Sequence, residues 1–275
     1  MKNHIFIEGL QGSGKSTLLR NLSQKFPEYK AYYEGDISPE ELAWCSYMTR
    51  EQYETALQKY PHVEQEIRQW TKREDDRYIV AYTRILADMR EFYEWMESFE
   101  IYNGRVPFEQ FCDIIMNRYR ALDPNSKNLF ECSFFQNSME DMMLYYQISE
   151  PEIFDFYREA YEILQPKGFQ MIYLKSDTIR ENILQIKKER SDENGVELWY
   201  PLMLKYLQES PYGKVHGFEG LEDMIAHFER RCALEERIIR EVLKENCTVL
   251  KAKAYCIKDY LEEICAALNC QPVIF

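Results

Sequence analysis

Apolar residues gather in five short blocks, and the stretches between them repeat with helical spacing. The first block, residues 3–7 (NHIFI), contains β-branched side chains and runs straight into glycines, which predicts a buried strand that stops at a tight loop. From Ser13 onward, Leu18, Leu19, Leu22 and Phe26 recur three or four residues apart until Pro27 closes the helix they predict. Lys30 to Tyr33 reads as a second strand, Asn128 to Cys132 (NLFEC) as a third, Phe169 to Leu174 (FQMIYL) as a fourth and Cys247 to Leu250 (CTVL) as a fifth. Strands separated by helices favour a parallel sheet with right-handed crossovers. The expected fold class is therefore α/β, a three-layer parallel sheet of about five strands.

Between about Ser38 and Asp123 the pattern changes. Val63, Ile67, Trp70, Ile79, Tyr82, Leu86, Met89, Tyr93 and Met96 recur at spacings of three and four, and Pro61 suits a first helical turn. No further Gly or Pro occurs until Gly104. One or two long amphipathic helices are expected, forming a large helical insertion at about 46–123. Gly-Pro-Ser linkers, internal repeats and low-complexity tracts are absent, so residues 1–275 are read as a single domain carrying that insertion.

Composition narrows the function classes. Hydrophobic residues at 45% and charged residues at 29% suit a folded globular chain and argue against a disordered or fibrous one. Lys and Arg number 34 against 47 Asp and Glu, a net charge of −13 with pI ≈ 5.0, so no nucleic-acid partner is expected. No stretch approaches the roughly 18 apolar residues of a membrane span, and the start MKNHIFIEGL lacks a basic region followed by an apolar run. A cytoplasmic protein with no membrane partner is expected. Eight scattered cysteines without a C-x-x-C pair predict reduced, mostly buried thiols, and the four histidines show no ligating spacing.

The sharpest local pattern is GLQGSGKST, in which Gly9, Gly12, Gly14, Lys15 and Ser16 match G-x-x-x-x-G-K-[ST] and Thr17 follows. Three of the ten glycines in the chain crowd into this stretch. Phosphate oxygens need several backbone N–H donors converging on one point; glycines allow the tight turn, and a helix N-terminus adds partial positive charge. Gly9, Gly12, Ser13, Gly14, Lys15, Ser16 and Thr17 are thus the expected triphosphate contacts. Lys15 would reach the β- and γ-phosphates, and the Ser16 hydroxyl would help hold Mg²⁺. No apolar strand ends in D-x-x-G and no N-K-x-D occurs, which turns the reading from switch GTPases toward small-molecule phosphotransferases.

YYEGD offers Glu34 and Asp36 just after the second strand, where the C-terminal edge of a parallel sheet faces ligand. Glu34 is the better base for an attacking hydroxyl, and Trp44 could supply a planar wall. At this point the chain resembles the deoxynucleoside kinase and thymidylate kinase branch of P-loop kinases. In that group a strand-ending glutamate and a nearby tryptophan follow the phosphate loop, a third strand ends in an E-R-S or D-R motif, and a basic lid closes over the donor phosphates. Glu131, Cys132 and Ser133 stand in the third position here, with Cys132 where the family has arginine. The missing cation must come from elsewhere, and Arg118 and Arg120 lie shortly before that strand.

Glu131 ends an apolar strand, where an acid can support Mg²⁺. The resemblance implies a lid at about 187–196, where Lys187, Lys188 and Arg190 precede a polar loop ending at Gly195. Arg190 is its best transition-state cation, because a guanidinium grips two oxygens. Aromatic residues make up 15% of the chain, and Tyr78, Tyr82 and Arg84 are possible acceptor contacts on a long helix. The segment from Glu219 to Lys244, with Glu229, Arg230, Arg231, Glu235, Glu236 and Arg237, reads as a solvated packing helix that could also support a homodimer.

The expected activity is Mg²⁺-dependent transfer of the ATP γ-phosphoryl group to a small-molecule hydroxyl, with a nucleoside or deoxynucleoside as leading acceptor. Glu34, Lys15 and Arg190 would carry catalysis, Asp36, Trp44, Tyr82 and Arg84 would bind acceptor, and Ser16 and Glu131 would hold metal. Two other readings stay open: a phosphotransferase for an antibiotic or metabolite, and a non-catalytic nucleotide-binding regulatory module.

Overall fold

The structure, a computed structural model, describes residues 2–253 and residue 264. Its elements begin with β1 (His4–Gly9), α1 (Lys15–Lys25) and β2 (Lys30–Tyr32). Next come β3 (Ser46–Thr49), α2 (Arg50–Lys59), α3 (Glu64–Gln69), β4 (Thr71–Glu74), β5 (Arg77–Val80), α4 (Arg90–Glu97) and α5 (Phe108–Ala121). The chain continues through β6 (Asn128–Glu131), α6 (Gln136–Asp141), α7 (Glu150–Leu164), β7 (Phe169–Lys175) and α8 (Ile179–Glu189). Then follow α9 (Trp199–Glu209), α10 (Pro211–His216), α11 (Leu221–Ile238) and β8 (Cys247–Lys251). Internal contacts divide the chain into two compact units, one of Met1–Ala31 with Asp123–Phe275 and the other of Tyr32–Leu122.

The first unit is α/β, with a five-stranded, all-parallel sheet in the order β2-β6-β1-β7-β8 flanked by helices. Strand β1 is hydrogen-bonded on both edges, with Ile5 opposite Leu129 on β6 and Gln170 on β7. A strand enclosed on both faces reads as one apolar run, and every residue of β1 is buried. The Phe6 ring lies 4.9 Å from that of Phe130 and 5.0 Å from that of Phe169, at the centre of an aromatic core. From β1 the chain crosses to the edge strand β2, returns to β6 beside β1, and then continues on the other side of β1 to β7 and β8. Loops leaving the carboxyl ends of strands diverge at such a switch point, which is where open α/β sheets bind ligands. The five predicted strands agree with the observed ones to within two residues at each end.

The second unit departs from the sequence expectation. In place of one or two long helices over 46–123 it contains short helices and a three-stranded antiparallel sheet, β3-β5-β4. Strands β4 and β5 form a hairpin whose turn is Asp75–Asp76, with Glu74 opposite Arg77 and Asp75 at φ 50°. Aspartate enters the left-handed region more readily than most residues, so this turn needs no glycine. Val63, Ile67, Tyr82 and Met96, four residues of the helical-looking pattern, come from helix and turn segments that converge on one buried cluster.

Cys45, Cys132 and Cys232 are buried and Cys112 and Cys247 half-buried; Cys256, Cys265 and Cys270 lie outside the described residues. Among the described residues no helix is long and apolar enough to cross a membrane. Replacing the fully buried Phe6 by alanine should leave a large cavity in the aromatic core and cost about 3–5 kcal/mol in urea unfolding. A loss below about 1 kcal/mol would show that Phe6 does not anchor the sheet.

Candidate functional site

Residues 9–17 join the end of β1 to the start of α1, and their backbone is set by three glycines at positive φ: Gly9 at 137°, Gly12 at 71° and Gly14 at 102°. A side chain at Gly9 would place Cβ 2.5 Å from the Leu174 carbonyl oxygen of β7. At Gly14, the N-cap of α1, a Cβ would meet nothing within 4 Å. No side chain caps the helix, and the N–H groups of a first turn have no partner inside a helix. Lys15 is buried and folds back, donating from Nζ to the carbonyl oxygens of Gly9 (2.8 Å) and Leu10 (3.1 Å). The buried Ser13 hydroxyl has no hydrogen-bond partner among the described residues, and Ser16 and Thr17 are exposed.

Ser16 Oγ donates to the Glu131 carboxylate at the end of β6, a strand whose register sets Glu131 opposite Ile7. Cys132 follows at φ 60°, an uncommon conformation for a residue with a side chain, and donates its N–H to the Ile7 carbonyl (3.2 Å). The turn after it is held by Glu8, which the sequence reading passed over although it is an acid in an apolar strand, flush against Gly9. Glu8 is fully buried and accepts the N–H of Phe134 at 2.6 Å and that of Gln136 at 3.4 Å. One strand thus fixes both the glycine loop and the turn after Glu131.

Arg190 is the residue following α8, exposed, with no hydrogen bond or ion pair from its side chain among the described residues. Lys187 is engaged, its Nζ lying 3.3 Å from Glu197 and 3.7 Å from the centre of the Tyr200 ring. Residues 191–197 close a small turn in which Asp192 accepts the N–H groups of Asn194 and Val196.

In the Tyr32–Leu122 unit, Glu34 with Trp44 and Asp36 with Arg84 form two hydrogen-bonded pairs. The Asp36 N–H donates to the Tyr33 carbonyl across a turn that carries Gly35 at φ 84°, and Asp36 Oδ2 accepts the Tyr33 N–H at 2.8 Å. Arg84 binds Asp36 Oδ1 at 2.6 Å, and Trp44 Nε1 donates to Glu34 at 3.0 Å. Trp44 is 47% exposed and sits at φ 63°, a strained backbone for a large side chain. It lies in a turn closed by the Cys45 N–H on the Leu42 carbonyl (3.0 Å), and the preceding Glu41 carboxylate accepts the N–H groups of Leu42 and Ala43 and the hydroxyl of Tyr102.

Tyr82 lies elsewhere. It is buried in a short turn after β5 with its hydroxyl 2.6 Å from Glu100, so it belongs to the core and offers no ring to a ligand. Arg84 shares that turn and is not on a long helix. Tyr78 stacks on Tyr53 with ring centres 4.4 Å apart. Arg118 is buried and tied to Glu74 and the Ser38 carbonyl, which removes it as a mobile cation.

The donors near the glycine loop suit a hard cation. Mg²⁺ binds through one or two protein oxygens together with water and phosphate oxygens, and Ser16 and Glu131 are a hydroxyl and a carboxylate already in contact. Among the described residues no group of three or more His, Cys, Asp or Glu could hold a metal by itself.

Desolvation raises the Glu8 carboxyl from 4.5 to about 7 against the opposing Phe134 N–H bond. The folded chain then binds this proton more tightly than the unfolded one, so stability from this group is full below about pH 4.5 and falls as pH rises through 7. Glu8→Gln should therefore narrow the difference in melting temperature between pH 5 and pH 8; an unchanged difference would contradict the assignment. Trp44→Gly should raise stability to urea by up to about 1 kcal/mol, because relief of left-handed strain outweighs the loss of a half-exposed ring. A loss above about 2 kcal/mol would show the ring to be structural. Compared with known families, the chain is matched by no family model, and no curated protein matches it.

Proposed function

We propose that the chain is a Mg²⁺-dependent phosphotransferase that moves the γ-phosphoryl group of ATP, or of a related nucleoside triphosphate, to a hydroxyl of a small molecule. A nucleoside or deoxynucleoside is the leading acceptor. The observation that carries the reading is the glycine loop at the carboxyl end of the central strand, with three positive-φ glycines, an uncapped helix start and a lysine folded over two carbonyls. A glycine loop that leads into an uncapped helix start can turn several N–H donors toward one polyphosphate, which supports the reading.

In this reading Lys15 exchanges the Gly9 and Leu10 carbonyls for phosphate oxygens, and the amides of Gly12 and of residues 14–17 hold the remaining charge, while the Ser13 N–H closes the turn on the Leu10 carbonyl (3.1 Å). Ser16 and Glu131 hold Mg²⁺, which when bound supplies neutralisation of the phosphate charge. Glu34 takes the proton of the acceptor hydroxyl, and its bond to Trp44 orients the carboxylate. Asp36 and Arg84 bind the acceptor's polar edge, while Trp44 gives it a flat apolar face. Arg190 steadies the transferring group, and its exposed side chain at the end of α8 is accessible for that.

The test is turnover with ATP, Mg²⁺ and a nucleoside panel. Glu34→Gln should lower acceptor-dependent turnover by about 10²-fold or more while ATP affinity is unchanged. Wild-type protein that phosphorylates no nucleoside would move the acceptor to another hydroxyl compound. Slow hydrolysis with no acceptor dependence would replace the kinase by a regulatory module.

A further inference from the structure

Helix α11 buries charge where the sequence suggested a solvated face. Arg231 and Glu235 are wholly inaccessible, although Glu229 and Arg230 beside them are exposed. Arg231 Nε donates to Glu235 at 2.7 Å, and Nη1 donates to Glu140 of α6 at 2.7 Å and to the side-chain oxygen of Gln11 at 3.2 Å. Tyr173 of β7 donates to the other Glu235 oxygen at 2.7 Å, and His227 lies 2.6 Å from the other Glu140 oxygen. Against full desolvation, which works upward, His227 and Arg231 hold the Glu140 carboxyl down to about 2.

Buried ion clusters seldom add stability over apolar packing, so stability is a weak reason for this one. Geometry is a stronger reason. A guanidinium presents its donors in a rigid plane, so fixing Arg231 against two carboxylates fixes the direction in which Nη1 reaches Gln11. Gln11 lies in the glycine loop, and its main-chain oxygen accepts a hydrogen bond from Asn182 of α8 at 2.9 Å. The next residue, Gly12, packs so close to Ile186 of α8 that a Cβ would fall 2.3 Å from its side chain. Residues 11 and 12 are therefore gripped by two helices, one of which leads to Arg190.

We propose that Arg231 is a positioning residue for the glycine loop, acting through Gln11 to hold the Leu10–Ser13 turn in the arrangement that leaves the amides at the start of α1 facing a polyphosphate. The proposal rests on the reading of that loop as a triphosphate site. Removal of the contact lets the turn relax, and the loop's affinity falls while the fold stands, because Arg231 keeps both carboxylates.

The test is a double-mutant cycle on the full chain, with Gln11→Leu, Arg231→Lys and the pair, using ATP titration and thermal melting. Each single variant should weaken ATP binding about fivefold, the loss carried by one hydrogen bond, and the double variant should be no weaker than either. Unchanged affinity in Gln11→Leu, or losses that multiply in the double variant, would overturn the proposal. Lys15→Ala separates the two claims: ATP binding that survives it refutes the loop's assignment to triphosphate, and amide hydrogen exchange then decides the positioning role without ligand. Exchange of residues 10–16 should be faster in Gln11→Leu than in wild type, with equal rates overturning the proposal, and this readout also serves if Arg231→Lys does not fold.

Discussion

The close approach of Gly9 to the Leu174 carbonyl is the constraint on which the site depends. At the end of a strand paired on both edges there is no room for a Cβ, and the chain must turn at φ 137°. Only glycine does both without strain. Once that turn is made, the loop is delivered to the switch point of the sheet, and α1 begins at Lys15 with its amides unpaired by any side chain. The packing of a sheet thus creates an electropositive helix start at a fixed place, before any ligand contributes energy.

The interior around this loop is polar to an unusual degree. Glu8, Glu140, Arg231 and Glu235 are all buried, linked by hydrogen bonds to main-chain amides and to each other. A low dielectric makes each link stronger and each missing link more costly, so the arrangement resists partial rearrangement. Under the proposed reading this suits a site that works by positioning, since preset donors need no reorganisation when charge develops. In the Tyr32–Leu122 unit a large ring is likewise held at the surface, on the strained backbone of Trp44 within the Leu42–Cys45 turn.

Much of the first unit was legible in the sequence because its strands are short apolar runs broken by glycine, proline and charge. The strand, loop and helix around residues 9–17 were legible for the same reason. The β4–β5 hairpin was not, since TKREDDRYIV is half-exposed, carries charge on both faces of β4 and is turned by aspartates. Arg231 and Glu235 were misplaced because an i, i+4 pair of opposite charge looks the same on a solvated helix face as in a core. Tyr82 was misplaced because spacing does not distinguish a ring that faces ligand from one that satisfies a buried Glu100. Glu8 carried a readable signal, an acid at the buried end of an apolar strand.

The central claim is that Lys15 and the amides of Gly12 and of residues 14–17 receive a polyphosphate. A crystal structure of the full chain with a non-hydrolysable ATP analogue and Mg²⁺ tests it most directly. The expected result is phosphate oxygens within hydrogen-bond distance of those amides, with Lys15 Nζ moved from the Gly9 and Leu10 carbonyls onto the β- and γ-phosphates. A triphosphate bound elsewhere, or bound while Lys15 stays on those carbonyls, would contradict the account.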